Sequence, residues 1–127
     1  MNPHTILVAD EDTDTRIILR ALLERHGYNV LEGTNAKHAC EVLQQQAVSL
    51  VVLNHPMNVT DEVTLAAWLR ARPQTHSLPI INRTSRVLPY CVEEAYQQGV
   101  TVTLAKPIDV HRILQLVEGL TAGAVTL

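Results

Sequence analysis

The chain has 127 residues, 46% hydrophobic and 18% charged, which suits one folded domain with a single buried core and not a disordered tail. Net charge is −3 with Lys and Arg scattered, so there is no electrostatic footprint for nucleic acid. No apolar run nears the ~20 residues of a membrane span. Met1-Asn2-Pro3-His4 lacks the basic and apolar regions of a signal peptide. Cys40 and Cys91 have neither metal-ligand spacing nor company for a disulfide framework. The expectation is a single cytoplasmic domain over 1–127, with its core at 5–120 and no membrane contact.

Taken in order, residues 5–9 read as a first strand, followed by the acidic turn Asp10-Glu11-Asp12-Thr13-Asp14. A helix then carries Ile17, Ile18, Ala21, Leu22 and Leu23 inward at helical spacing, and Gly27 closes it. Tyr28 to Leu31 form a short strand. Asn35 caps a helix whose core face is Ala36, Ala39, Val42 and Leu43. The run Leu50-Val51-Val52-Leu53 is apolar throughout, as expected of a strand buried on both faces of a parallel sheet. It ends on Asn54.

Asp61 is expected to cap a third helix bearing Val63, Leu65, Ala66 and Leu69, with Pro73 beyond its end. Leu78 to Asn82 read as a fourth strand ending near Thr84 and Ser85. Pro89 opens a helix that stops at Gly99. Val100, Val102 and Leu104 alternate with Thr101 and Thr103, the pattern of a half-covered edge strand. Ile113, Leu114, Leu116, Val117 and Leu120 mark a last helix. Trp68 and Tyr96 read as partly buried packing residues. Five β-then-α units imply an α/β fold, a parallel sheet with helices on both faces. In such sheets the ligand crevice lies outside the carboxyl ends of the strands. Asp10, Glu11, Asn54 and Lys106 all stand at such ends.

These pieces resemble the receiver domains of two-component response regulators, the CheY-like fold. The resemblance covers residues 5–120 and rests on Ile6-Leu7-Val8-Ala9-Asp10-Glu11-Asp12, Leu50 to Asn54, Leu78-Pro79-Ile80-Ile81 with Thr84, and Leu104-Ala105-Lys106-Pro107. It implies a doubly wound five-stranded sheet of order 2-1-3-4-5 with five helices. It also implies roles: Asp10 and Glu11 for Mg²⁺, Thr84 and Lys106 for a phosphoryl group, and a phosphoacceptor aspartate where Asn54 stands. The family's Lys-Pro bond is often cis. Asn54 has no anionic oxygen with which to attack a phosphoryl group. It also weakens any Mg²⁺ site, since that ion favours charged oxygen ligands, and a Lys106 pairing with Asp10, Glu11 or the Asn54 amide oxygen is expected to hold the pocket closed. Thr103 stands where the family usually has an aromatic switch residue, and Glu62 where a glycine is common.

Local readings compete with these. The acidic pair is also what the positive end of a helix favours, and the Thr84 hydroxyl is equally suited to bonding its own loop backbone. His55 invites a metal or phosphohistidine role that the spacing of the histidines does not support. The expected function is a phosphorylation-independent signalling module, not an enzyme and needing no cofactor beyond weakly held Mg²⁺. It would act by binding a histidine kinase or a downstream signalling protein, as a monomer or weak dimer. Its candidate face carries Tyr90, Tyr96, Thr101 and Thr103. The alternatives are a conventional phosphorylatable receiver, were Asn54 an introduced change, and a metal-dependent phosphotransfer enzyme.

Overall fold

A computed structural model describes residues 4–107 and 109–123, so the Met1-Asn2-Pro3 segment read for a leader lies outside the described residues. Strands and helices alternate through the chain as β1 (Thr5–Ala9), α1 (Thr13–Arg25), β2 (Asn29–Gly33), α2 (Ala36–Gln45) and β3 (Leu50–Leu53), then α3 (Leu65–Arg70), β4 (Ile80–Thr84), α4 (Pro89–Gln98), β5 (Val102–Ala105) and α5 (Val110–Gly123). The five strands form one parallel sheet in the order β2-β1-β3-β4-β5. No helix of the described residues is long and apolar enough to cross a membrane.

The alternation of side chains along each strand splits the core in two. Leu7, Ala9, Val51, Leu53 and Ile80 face α2, α3 and α4. Ile6, Val8, Leu50, Val52 and Ile81 face α1 and α5. All four residues of β3 are buried, because β1 and β4 flank it and helices cover both its faces. β5 is half-covered, as its alternation of valine and threonine predicts.

The α1 face differs from expectation. Ile17 and Ile18 are 57% and 53% exposed, while Thr15, Arg16, Leu19 and Leu23 turn inward. Two polar residues win these positions because they have partners: the Thr15 hydroxyl donates to Asp12 at 2.6 Å and Arg16 reaches the buried Asp10 carbonyl at 2.7 Å. The fully buried Leu19 and Leu23 supply the apolar part of the face, about 1.5–3 kcal/mol each.

The third helix also departs from the sequence reading. It is six residues long, and its N-cap is Thr64, whose hydroxyl accepts the Ala67 N–H at 3.2 Å; Asp61 is exposed and caps nothing. A bridge between Asn58 and Thr64, with the Leu65 N–H donated to the Met57 carbonyl at 2.7 Å, holds 57–65 as a tight loop. The helix can begin only after that loop closes. Gly99 ends α4 at φ 112°, the left-handed conformation that glycine adopts without strain. Trp68 is half-buried with the Arg72 guanidinium 4.4 Å from its ring centre, whereas Tyr96 is 45% exposed and not the packing residue expected.

Candidate functional site at the carboxyl edge of the sheet

Strand register brings four polar residues to one edge. Ala9 pairs with Leu53, so Asp10 and Asn54 follow side by side. Thr84 ends β4 and pairs with Ala105, and the Lys106 N–H donates to the Thr84 carbonyl at 2.9 Å. The Lys106-Pro107 bond is cis. Glu11 is exposed, Asn54 and Lys106 are half-buried, and Asp10 and Thr84 are buried.

Asp10 is the centre of the bonding. Its Oδ1 accepts the Asp12 N–H at 2.9 Å, and its Oδ2 faces Nη1 of Arg83 at 3.3 Å, both side chains being almost wholly buried. Arg83 Nη2 lies 3.4 Å from the Thr15 hydroxyl, while its Nε has no partner. Burial pushes the Arg83 guanidinium below its ordinary value, and the charges of Asp10 and then Asp12 pull it back. An arginine remains charged through such shifts. Lys106 was the expected partner of this carboxylate, yet Lys106 makes no ion pair among the described residues. Arg83 takes that place because it lies on the same face as Asp10, on β4 one strand beyond β3, and reaches it through the interior.

Arg16 supports the same strand end from the other side. It bonds the Asp10 carbonyl and pairs with Glu32 at 3.1 Å, while Arg20 holds the second Glu32 oxygen at 2.8 Å. These contacts, Arg20 first, hold the Glu32 carboxyl below the usual carboxylate range. A hydrogen bond from the Thr15 hydroxyl does the same to Asp12, with the charge of Lys106 a lesser contribution.

On the opposite face of the sheet, Asn82 organises the loop after Asn54. Its carbonyl accepts the His55 N–H at 2.9 Å, and its amide nitrogen lies 3.4 Å from the Thr103 hydroxyl. His55 is buried with Nε2 3.4 Å from Glu94 and Nδ1 unpartnered. The space bounded by His55, Asn82, Thr84, Cys91 and Glu94 is about 10 Å³, room for one water and not for a substrate. The Thr84 hydroxyl accepts the Arg86 N–H at 2.9 Å, a bond to its own loop. Burial pushes the Cys40 thiol up to about 11, far from an activated thiolate.

The candidate binding face is mixed. Tyr90 is 68% exposed beside exposed Val87 and Leu88. Tyr96 bonds the Thr103 N–H, and the Thr101 hydroxyl is occupied by the Ile80 N–H at 2.9 Å. Sequence reasoning missed Arg83, Arg16 and Asn82. The available signal for two of them was a polar pair set directly behind Ile80-Ile81, in a strand with neighbours on both sides.

A family model described as the response regulator receiver domain matches residues 6–118. An uncharacterized 14.6 kDa protein in the sodA1 3' region of Leptolyngbya boryana is 34% identical over 113 residues, covering 89% of this chain and 86% of that protein. The signal receiver domain of a signal transduction histidine kinase from Syntrophus aciditrophicus shares the fold with a TM-score of 0.87 at 22% identity, over 98% of this chain and 94% of that one. The receiver domain of sensor histidine kinase PA1611 from Pseudomonas aeruginosa, solved with a magnesium ion coordinated in its active-site cleft, gives a TM-score of 0.83 at 21% identity over 95% of this chain and 99% of that one.

Proposed function

We propose that this chain, which belongs to the response regulator receiver family of two-component signalling, is an interaction module that works without being phosphorylated. Receiver domains are signalling modules that engage histidine kinases and other signalling proteins. Here the carrying observation is Asn54 at the strand end where the family's phosphoacceptor aspartate stands. Its amide lacks the anionic oxygen that phosphoryl transfer to a carboxylate requires. The Thr84 hydroxyl is turned to its own backbone, and Thr103 has no ring to rotate.

Recognition is then a property of one conformation that is populated all the time. The α4–β5–α5 face offers Tyr90 as an amphipathic anchor for a kinase or a downstream protein, with exposed Val87 and Leu88 just before α4. A ligand that does not distinguish two states shifts nothing, so phosphodonors leave partner affinity unchanged.

The test is intact mass after incubation with acetyl phosphate and Mg²⁺. The unaltered chain gains no species heavier by about 80 Da, one phosphoryl group, whereas Asn54→Asp regains a fraction of it. Such a species on the unaltered chain overturns the reading, and mapping it would identify the acceptor.

A further inference from the structure

The receiver resemblance implies Mg²⁺ beside Asp10 and Glu11, but the residues present do not fit that ion. Mg²⁺ needs charged oxygens free to enter near-ideal octahedral geometry. Both Asp10 oxygens are engaged, one by the Asp12 N–H and one by Arg83. Asn54 offers a neutral amide, Glu11 is exposed, and among the described residues no three His, Cys, Asp or Glu side chains gather to hold a metal.

What lies against the carboxylate is an internal cation. Arg83 follows Ile81 by two residues along β4 and so lies on the same face, where Ile81 is wholly buried in the α1–α5 core. An apolar side chain there would carry no desolvation cost of its own. A guanidinium in that place is costly unless a carboxylate compensates it. Arg83 meets Asp10, and its second terminal nitrogen approaches the Thr15 hydroxyl, which in turn donates to Asp12, the cap of α1. One buried side chain thereby ties the ends of β1 and β4 to the start of α1.

We infer that Arg83 is the resident counter-cation of this site, taking the place of the divalent ion, so that the domain holds its shape with or without metal. The charge that other receivers take from solution is here encoded in the chain. The order of affinities follows: metal binds tightly only where Arg83 is removed and Asp10 remains, and an aspartate at position 54 strengthens it.

The experiment is a Mn²⁺ titration read by electron paramagnetic resonance, with thermal unfolding in parallel, on the full chain. The unaltered protein and Asn54→Asp show no saturable binding in the low-millimolar range. The double variant Asn54→Asp with Arg83→Met binds at least about tenfold tighter than Asn54→Asp alone, because competition for Asp10 has gone. Arg83→Met alone unfolds at a lower temperature and is raised again by Mn²⁺. If it does not fold at all, recovery of folding on adding Mn²⁺ is the same result. Arg83→Lys stays indifferent to metal, and Asp10→Asn with Arg83→Met folds and ignores it. Saturable binding by the unaltered chain as tight as by the double variant overturns the inference. So does an Arg83→Met protein that Mn²⁺ leaves unchanged. No arm uses a phosphodonor, so the outcome is independent of the phosphorylation state of residue 54.

Discussion

The phenol oxygen of Tyr96 accepts the backbone N–H of Thr103 at 3.1 Å. It thereby closes a donor on the free edge of β5 and lays an aromatic side chain of α4 against the residue that stands at the family's switch position. Edge donors of this kind are otherwise open to another strand.

Tyr96→Phe should therefore speed amide hydrogen exchange at Thr103 and cost only about 0.5–1 kcal/mol, because water can replace the lost acceptor at this exposed edge. Exchange measured by NMR and a urea unfolding curve test the two parts separately. Unchanged exchange at Thr103 would show that the phenol does not protect that amide.

A larger effect is expected at Asn82. Its carbonyl is the acceptor for the buried His55 N–H, so Asn82→Ala leaves a donor with no replacement and should cost about 1–3 kcal/mol. Asn82→Asp keeps the acceptor and should preserve the His55 bond, seen as retained protection of that amide. Equal exchange at His55 in both variants would remove Asn82 from its positioning role.

Glu32 sets an acid limb of stability. Its folded-state value is depressed, chiefly by Arg20 and then Arg16, so its contribution is present above the unfolded glutamate value of about 4.3 and is lost as pH falls through the folded value. The pair with Arg20 is partly solvated, which keeps the effect modest. Glu32→Gln should lower the denaturant midpoint at neutral pH and converge with the unaltered protein below the carboxylate range. Parallel pH profiles of the two proteins would contradict this.

The edge that carries Asp10, Asn54 and Lys106 was legible because short apolar runs ended in polar residues at regular intervals; the strand order came from the resemblance to receiver domains. Periodicity failed on α1, where it placed Ile17 and Ile18 inside. Hydropathy cannot register that Arg16 has a buried partner in Asp10, just past β1, and Thr15 one in Arg83 on β4. It failed again at α3, because Asp61 and Thr64 are both competent caps and the Asn58–Thr64 bridge chooses between them. Arg83 was passed over because a charged residue at the end of an apolar run reads as the beginning of a loop. Only the three-dimensional sheet shows that the Arg83 side chain turns into the α1–α5 face of β4 and that Asp10 lies across from it.

The Arg83–Asp10 contact also makes the order of substitutions matter for any route from this sequence towards a phosphorylatable receiver. Replacing Arg83 first strands a buried carboxylate, and breaking such a pair costs about 3–5 kcal/mol, a large share of a small domain's stability. Introducing aspartate at position 54 first is milder, since Lys106 is half-buried at the same edge and engaged in no ion pair among the described residues. The two changes are thus epistatic, and the passable path takes residue 54 before residue 83. Along that path the first step restores the nucleophile's chemistry, and the second opens the way for tight metal binding.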